Sequence, residues 1–329
     1  MKLALCVVGC GEFARTFAKA MEPLRSEVDL YFASRQAQRA ESYAREFDGI
    51  DAFGSYRAAA ADPRVAAMYL CTPHHLHLEH TLIAARAGKH ILVEKPMARN
   101  LIESREMLTQ ARRAGVTFMV AENYRYMSAV RSAKTLIGDG AIGNLRMIQL
   151  QEEAYFQPSG WRDNREQNGG GVLIDGGIHK ADLLIYLAGM PETVFAASLP
   201  RALPGAGGED GAVVMTRTPD GVVGIINHSW TAAQHPAPPW VSISGTEGQI
   251  HFEVGAPRLK LTNRSEERTL RFENDYQGLV PMVREFRDSI REQREPITSG
   301  AAGIGALTVV LKAYESMDRG EAVPIGLTI

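Results

Sequence analysis

The feature that most constrains the fold lies at the start of the chain, where a short apolar run meets a glycine-rich turn. Leu3 to Val8 are continuously apolar, as a strand buried on both faces requires. A helical pattern follows the turn, and glycines at such a turn let the backbone approach a pyrophosphate while the helix N-terminus supplies donors. The sequence therefore predicts a dinucleotide-binding strand, turn and helix. The expected cofactor contacts are Gly9, Gly11, Glu12, Phe13 and Ala14.

The end of the next strand bears on which nucleotide is bound. The apolar run from Val28 to Ala33 ends in Ser34-Arg35, about 20 residues past the glycines, where an NAD enzyme usually carries an acidic residue. Arg39 follows one helical turn later. A hydroxyl and guanidinium groups suit a 2′-phosphate, because guanidinium pairs with phosphate through charge-assisted hydrogen bonds. We therefore expect NADP in preference to NAD, although Arg35 could also be a plain surface residue.

Strand and helix patterns continue to alternate up to Ala121. Short strands connected by helices predict right-handed crossovers and an open, doubly wound parallel sheet. We therefore expect a Rossmann domain over residues 1–121. The expected strands are 50–53, 66–71, 90–93 and 117–121, and the expected helices begin at Ser55, His74 and Leu101.

Four histidines fall within seven residues directly after one of these strands, at positions 74, 75, 77 and 80. Their spacing suggests a metal site, but no nearby carboxylate or cysteine set completes one. A strand end beside a nucleotide accounts for the same polar residues. We therefore expect no metal, and cofactor contacts from Thr72, Pro73, His74 and His77.

A lysine stands at the exit of another buried strand. The apolar run after His90 ends in Glu94-Lys95-Pro96. Lysine is normally kept on the surface, so this ammonium must reach water or find partners. Taken alone, Lys95 is more simply a solvated strand end; a functional lysine becomes the better interpretation only with the dinucleotide turn, because ligands of open α/β sheets bind at the carboxyl ends of strands, and with partners from the second domain.

The character of the chain changes after Ala121. A helix through Val130 and Ile137 is followed by longer runs that alternate apolar and polar residues, typical of an antiparallel or mixed sheet with one covered face. We expect a second domain over residues 122–329. Its expected strands are 146–156, 193–199, 212–217, 222–230 and 241–254, its loops 200–208 and 232–239, and its last helices 279–293 and 300–319.

A glycine run in this second domain precedes an acid and a histidine. Gly169-Gly170-Gly171 opens a helical stretch that carries Asp175, His179 and Asp182. Asp175 and His179 are four residues apart, so in an α-helix they share one face. An aspartate beside a histidine can orient the ring and stabilise its charged form, which prepares a general acid or base. A capping aspartate and a surface histidine are the alternative.

Taken together, these motifs resemble the glucose-fructose oxidoreductase, inositol dehydrogenase and MocA family, Gfo/Idh/MocA. The resemblance rests on the turn Gly9 to Ala14, the Thr72 to His77 turn, Glu94-Lys95-Pro96, and the segment from Gly170 to His179. It implies an α/β fold with a Rossmann domain and a second domain built on a large open, mostly antiparallel sheet. It also implies hydride transfer between NAD(P) and a secondary alcohol or ketone of a sugar, polyol or sugar derivative, in a homodimer or homotetramer formed through that sheet.

The resemblance also implies residue roles. Lys95, Asp175 and His179 match positions used for proton transfer and substrate orientation, and a cis Lys95-Pro96 bond is expected. The remaining implied cofactor contacts are Glu94, Lys95 itself, Asn123, Trp161, Arg162 and Tyr276; the implied substrate contacts beyond the catalytic residues are Arg125 and Arg162. Two other functions are compatible with the fold, a nucleotide-binding regulator without chemistry and an NAD-dependent glycosidase.

Composition further limits the class of protein, its partners and its compartment. With 329 residues, two domains are expected, and a hydrophobic content of 45% and a charged content of 22% are ordinary for a globular protein. A net charge of -2 with no basic block argues against nucleic acid or an anionic membrane as a partner. No apolar run approaches the roughly 18 residues that span a bilayer. The three cysteines fit a reducing compartment, so we expect a cytoplasmic protein.

Overall fold

The computed structural model describes residues 2–231 and 240–326, which form two compact units. The first unit contains Met1–Glu122 and Leu279–Gly303; the second contains Asn123–Gly278 and Ile304–Ile329. The sequence led us to expect a single change of domain near residue 121. In the structure the chain also returns to the first unit near its C-terminal end.

The first unit is built on a parallel six-stranded sheet, as expected for a doubly wound fold. Its strands are β1 (Leu3–Val8), β2 (Val28–Ala33), β3 (Asp51–Phe53), β4 (Ala67–Leu70), β5 (His90–Val93) and β6 (Phe118–Val120). They lie in the order β3-β2-β1-β4-β5-β6, with every pair parallel. The order reverses beside β1, and such a switch point is where open α/β sheets bind ligands.

Helices cover this sheet and connect its strands. They are α1 (Glu12–Ala20), α2 (Ala37–Glu46), α3 (Tyr56–Ala61), α4 (His77–Arg86) and α5 (Leu101–Arg113), joined later in the chain by α9 (Leu279–Glu292). The returning segment is held by a buried apolar face on α9 and by pairing with β6. Thr298 accepts a hydrogen bond from Val120 N at 2.8 Å and donates its hydroxyl to the Val120 carbonyl at 2.7 Å. No local pattern in the sequence predicts the pairing of this segment with β6.

The second unit is built on a nine-stranded sheet. Its strands are β7 (Leu145–Glu153), β8 (Thr193–Ser198), β9 (Gly211–Arg217), β10 (Val223–Ser229), β11 (Val241–Gly245), β12 (Gly248–Phe252), β13 (Arg258–Asn263), β14 (Glu267–Arg271) and β15 (Val323–Pro324). The order is β14-β13-β12-β11-β7-β10-β9-β8-β15. All pairs are antiparallel except β7 with β10, which confirms the expected mostly antiparallel sheet.

Two details of this sheet differ from expectation. The single strand predicted over 241–254 is a hairpin, because the chain turns between Gly245 and Gly248 and pairs β11 with β12. The strands β13 and β14 were not predicted, and they extend the same sheet. The loop predicted over 200–208 is confirmed, whereas the one predicted over 232–239 lies outside the described residues.

Helices accompany the sheet of the second unit, and part of that sheet is exposed. They are α6 (Ser128–Gly138), α7 (Arg165–Asn168), α8 (Ile178–Ala188) and most of α10 (Gly300–Arg319). Burial alternates along β9 and β10, and Phe195, Val213 and Met215 stand exposed on neighbouring strands. Across residues 2–231 and 240–326, no helix is both long and apolar enough to cross a membrane.

Candidate active site

The turn between β1 and α1 has the geometry that a dinucleotide needs. Gly9 has a φ of 99°, and a Cβ there would lie 2.6 Å from the Cys71 carbonyl oxygen and 2.9 Å from Thr72 Cγ2. A Cβ on Gly11 would meet open space within 4 Å. Gly11 also caps α1 and has no side-chain acceptor, so the first N–H groups of α1 are left for a bound anion. These residues therefore fit the pyrophosphate of a dinucleotide.

The end of β2 is basic. Ser34 is buried, and its hydroxyl accepts a hydrogen bond from Gln36 N at 3.1 Å, which shapes the turn into α2. Arg35 is exposed and hydrogen-bonds Tyr56, while Arg39 is exposed one turn further along α2. The stretch from 34 to 39 contains no acidic residue.

The histidines after β4 join turns of the first unit. The imidazole of His77 is fully buried, with Nδ1 3.0 Å from the Pro96 carbonyl and Nε2 2.8 Å from the Thr72 carbonyl. Burial lowers the pKa of His77 to about 4, against the opposing effect of the two carbonyl groups. The ring of His80 packs on Tyr56, and its Nδ1 lies 2.9 Å from Thr72 Oγ1.

His77 therefore links the turn after β4 to the turn that carries Lys95. The described contacts of His77 are with the protein backbone, and its direct contact with a cofactor stays a prediction. His74, also predicted at the cofactor, is buried with its ring centroid 5.7 Å from that of His77.

In the turn after β5, the backbone N–H of Lys95 is hydrogen-bonded to the buried side chain of Glu94. The Lys95-Pro96 peptide bond is cis, as expected. Glu94 is buried; its carboxylate accepts a hydrogen bond from the Tyr69 hydroxyl and, at 3.3 Å, from Lys95 N. Burial raises the pKa of Glu94 to about 7. The Lys95 side chain is half-buried rather than a solvated strand end.

In the second unit, Asp175 lies on a π-helical turn (Leu173–Gly177) and His179 on the first turn of α8. Our expectation of a continuous α-helix over this stretch was therefore wrong for its first part. π-Turns are rare and frequently found at functional sites. Both side chains are buried, and Asp175 Oδ2 accepts a hydrogen bond from Arg162 Nε at 3.0 Å. The Arg162 guanidinium lies 4.3 Å from the Trp161 ring centroid.

His179 has an aromatic partner that the sequence did not single out. Its ring stacks on Tyr124, with centroids 4.1 Å apart and planes 13° from parallel. Tyr124 belongs to a short 3₁₀ turn with Asn123, whose side-chain amide donates to the Gln277 carbonyl at 2.7 Å. That bond brings Asn123 beside the segment of Tyr276, another predicted cofactor contact, which has a φ of 53°.

Arg125, predicted to contact the substrate, is engaged in a buried ion pair. Its Nε and Nη2 donate to the two carboxylate oxygens of Asp182 at 2.5 and 2.7 Å, and its guanidinium lies 5.3 Å from the Tyr186 ring. A buried bidentate pair of this kind fixes both side chains. The described contacts of Arg125 thus hold the 3₁₀ turn of Tyr124 to α8, and contact with substrate remains a prediction.

A second polar cluster, which lies next to His179 and consists of Lys180, Glu152 and His228, was not identified from the sequence. Lys180 is buried and forms an ion pair with Glu152; His228 Nδ1 lies 3.2 Å from the same Glu152 oxygen. The Trp240 ring centroid is 5.0 Å from Lys180 Nζ. Glu152 and His228 are register partners on the parallel pair β7 and β10. A lysine inside an apolar helix was a visible signal, but its partners depend on strand register.

Comparison with known proteins agrees with this geometry. Residues 3–122 match the model described as "Oxidoreductase family, NAD-binding Rossmann fold", and residues 130–251 match the GFO/IDH/MocA C-terminal domain. The chain is 31% identical over 330 residues to 1,5-anhydro-D-fructose reductase of Ensifer adhaerens, covering 97% of each chain. It is 32% identical over 260 residues to trans-1,2-dihydrobenzene-1,2-diol dehydrogenase of Bos taurus, covering 77% of this chain and 74% of that one.

A solved structure is similar over the whole chain. Levoglucosan dehydrogenase in complex with NADH and levoglucosan superposes with a TM-score of 0.90 at 25% identity, covering 99% of this chain and 100% of that one. Family models that match both halves of the chain, together with a relative aligned over nearly its full length, lead to one conclusion. The chain belongs to the Gfo/Idh/MocA family of NAD(P)-binding oxidoreductases.

Proposed function

We propose that this protein interconverts a secondary alcohol and a ketone on a sugar, polyol or sugar derivative, using NADP in preference to NAD. The observation that carries the proposal is the burial and the fixed contacts of the residues proposed to transfer the proton. Asp175 and His179 are buried and held by Arg162 and Tyr124, and Lys95 stands on a turn shaped by a buried carboxylate. A protein that only sensed the nucleotide would have no evident need for these groups.

The nucleotide would lie on the β1–α1 turn, with Gly9, Gly11 and Thr72 at the pyrophosphate. When bound, a nicotinamide dinucleotide supplies the hydride acceptor or donor for the reaction. The remaining predicted contacts, Asn123, Trp161, Arg162 and Tyr276, belong to this proposal as well. Their side chains would orient the nicotinamide and exclude water from it.

The protein's own residues then handle the proton. In oxidation His179 takes the proton of the substrate hydroxyl, and in reduction it returns the proton to the carbonyl oxygen. Lys95 donates a hydrogen bond to the reacting oxygen and stabilises the negative charge that develops there. Asp175, paired with Arg162, orients the substrate and the histidine.

The residues at the end of β2 support the proposed preference for NADP. Arg35 and Arg39 are exposed there, and no acidic residue stands in the stretch 34–39 to hold the ribose hydroxyls of NAD. A guanidinium binds a 2′-phosphate through charge-assisted hydrogen bonds. Tyr56, bonded to Arg35 and packed on His80, would hold the guanidinium in place.

The proteins that this chain is similar to support a carbohydrate as the class of substrate. Two similar proteins act by name on 1,5-anhydro-D-fructose and on levoglucosan. We therefore place a carbohydrate, first of all an anhydro sugar or its keto form, at Lys95, Asp175 and His179. The three cysteines are free thiols, which supports our placement of the protein in a reducing cytoplasm.

The experiment that tests this function is a spectrophotometric screen of keto sugars, anhydro sugars and polyols with NADPH, NADP, NADH and NAD. We expect stoichiometric oxidation or reduction of the dinucleotide with at least one carbohydrate. Turnover of a glycoside with no net change in the dinucleotide would instead indicate a glycosidase.

Substitution of the lysine tests the mechanism. Lys95→Ala should lower kcat on the order of 100-fold or more, because the variant loses a charged donor to the reacting oxygen. The dissociation constant of NADPH, measured by fluorescence titration, should change far less. Lys19→Ala removes an exposed lysine and serves as the control. Unchanged turnover in Lys95→Ala would refute the role of Lys95.

A further inference from the structure

The start of the segment that carries Asp175 is bound by two residues from elsewhere in the second unit. They are Tyr314 on α10 and Glu209 in the loop before β9. Between them, they accept the backbone N–H groups of all four residues from Gly171 to Ile174. The first N–H groups of a helix normally lack partners within the helix, so this arrangement completes that end.

Each hydrogen-bonding group of Tyr314 is used. Its hydroxyl oxygen accepts from Gly171 N and Ile174 N, both at 3.2 Å, and its proton is donated to Glu209 Oε1 at 2.9 Å. A hydroxyl has two acceptor sites and one donor, so the group is saturated. Burial raises the pKa of Tyr314 well above its ordinary value, which keeps the hydroxyl protonated.

Glu209 binds the two residues between these. Its backbone carbonyl accepts from Val172 N at 2.8 Å, and its Oε1 accepts from Leu173 N at 2.9 Å. Burial raises the pKa of Glu209 as well. Side chain and main chain of one residue therefore bind successive N–H groups of the segment.

The glycines before the segment make these approaches possible. A Cβ on Gly170 would collide with the Tyr314 hydroxyl, and a Cβ on Gly171 would collide with the Glu209 backbone. Gly208 in turn lies so close to Gly171 that its own Cβ would overlap the main chain there. Contacts with this pair thus explain Gly170 and Gly171, whereas Gly169 ends α7 with a φ of 93°.

We propose that Tyr314 and Glu209 are positioning residues, which hold the start of the π-helical turn so that Asp175 and His179 keep their catalytic placement. This inference rests on the proposed function. The loss of the Tyr314 hydroxyl leaves two buried N–H groups without their acceptor, and the segment must shift to find others. A shift of about 1 Å at a catalytic group can cost on the order of 100-fold in rate.

The test compares Tyr314→Phe with Ser316→Ala, which removes a buried, bonded hydroxyl two residues further along α10. The Ser316 hydroxyl accepts from Ala196 N at 3.0 Å and donates to the Glu321 carbonyl at 2.5 Å, so this variant also loses internal hydrogen bonds. In both, kcat and KM for the carbohydrate found in the screen, the Kd of NADPH and amide hydrogen exchange over residues 171–175 are measured.

In Tyr314→Phe we expect kcat to fall about 10- to 100-fold and exchange at 171–174 to quicken about tenfold or more, with the Kd of NADPH within about twofold. Ser316→Ala should keep kcat within about threefold. Glu209→Gln retains an acceptor oxygen and should keep most of the rate, whereas Glu209→Ala should lose as much as Tyr314→Phe.

A kcat that is unchanged in Tyr314→Phe, or lowered equally by Ser316→Ala, overturns the positioning role. If wild type turns over no carbohydrate, the proposed function fails on its own. Hydrogen exchange then decides the inference. Faster amide exchange confined to residues 171–175 in Tyr314→Phe would support the proposal that Tyr314 fixes this segment. Unchanged exchange would overturn it.

Discussion

At the scale of single residues, we propose that Arg35 gives the protein its preference for NADP over NAD. Arg35→Ala should weaken NADPH on the order of tenfold or more, because one charged hydrogen bond contributes about 1.5–3 kcal/mol, and should leave NADH within about twofold. Fluorescence titration with both dinucleotides measures this, and Arg113→Ala, an exposed arginine on α5, is the control. An equal loss for NADH and NADPH would argue against a contact with the 2′-phosphate.

A buried acid beside Lys95 makes stability depend on pH. The folded protein keeps the Glu94 proton up to about pH 7, whereas an unfolded glutamate loses it near 4.5. Between these values the folded state binds more protons, so this contribution to the free energy of unfolding is complete below pH 4.5 and is lost as the pH rises through 7. The size of the loss is on the order of 3 kcal/mol.

Glu94→Gln should remove that dependence. Urea unfolding at pH 5, 6, 7 and 8 should show, at about pH 5 to 7, a fall in wild-type stability that the variant lacks. Glu41→Gln, at an exposed position, should retain the wild-type slope. Parallel curves for wild type and Glu94→Gln would show that Glu94 does not carry the effect.

At the scale of an element, the π-helical turn depends on the glycines before it. Gly171→Ala places a methyl group against the Glu209 backbone, which cannot move as a flexible side chain could. We expect a loss of about 1–3 kcal/mol in stability. Carbohydrate turnover should fall with it, since Asp175 lies within the displaced turn.

Thermal unfolding and kcat measure both effects. Gly138→Ala, where the added Cβ meets nothing within 4 Å, is the matched control and should unfold at or above the wild-type temperature. If Gly171→Ala were as stable as the wild type, the loop that contains Glu209 would have to move at little cost to make room for the methyl group. The turn would then not be constrained at this point.

At the scale of the whole molecule, we expect association through the nine-stranded sheet. Phe195, Val213 and Met215 form an exposed apolar stripe across β8 and β9, and the family resemblance points to a second copy as its partner. Met215→Lys should shift the protein to monomers in sedimentation velocity. Ile102→Lys, at an apolar site on α5 that is even more exposed, should not. A monomeric wild type would refute this assembly.

Much of the fold was predictable because its signals are local. The β1 run, its glycines and the helix that follows lie within one short stretch, and each strand and helix of the first unit shows its own period. The candidate residues Lys95, Asp175 and His179 were also found from neighbouring residues. The hairpin of β11 and β12 and the added pair β13 and β14 were harder, since strands of five or six residues carry a weak pattern.

By itself, the sequence determined a dinucleotide turn, a lysine at a strand exit and an acid with a histidine after a glycine run. These depend on backbone geometry and periodicity, which neighbouring residues set. Only the tertiary structure decided the partners: Arg162 for Asp175, Asp182 for Arg125, and Tyr314 with Glu209 for the glycine run. Such pairs join residues far apart in the chain, and strand register and packing choose among many possible partners.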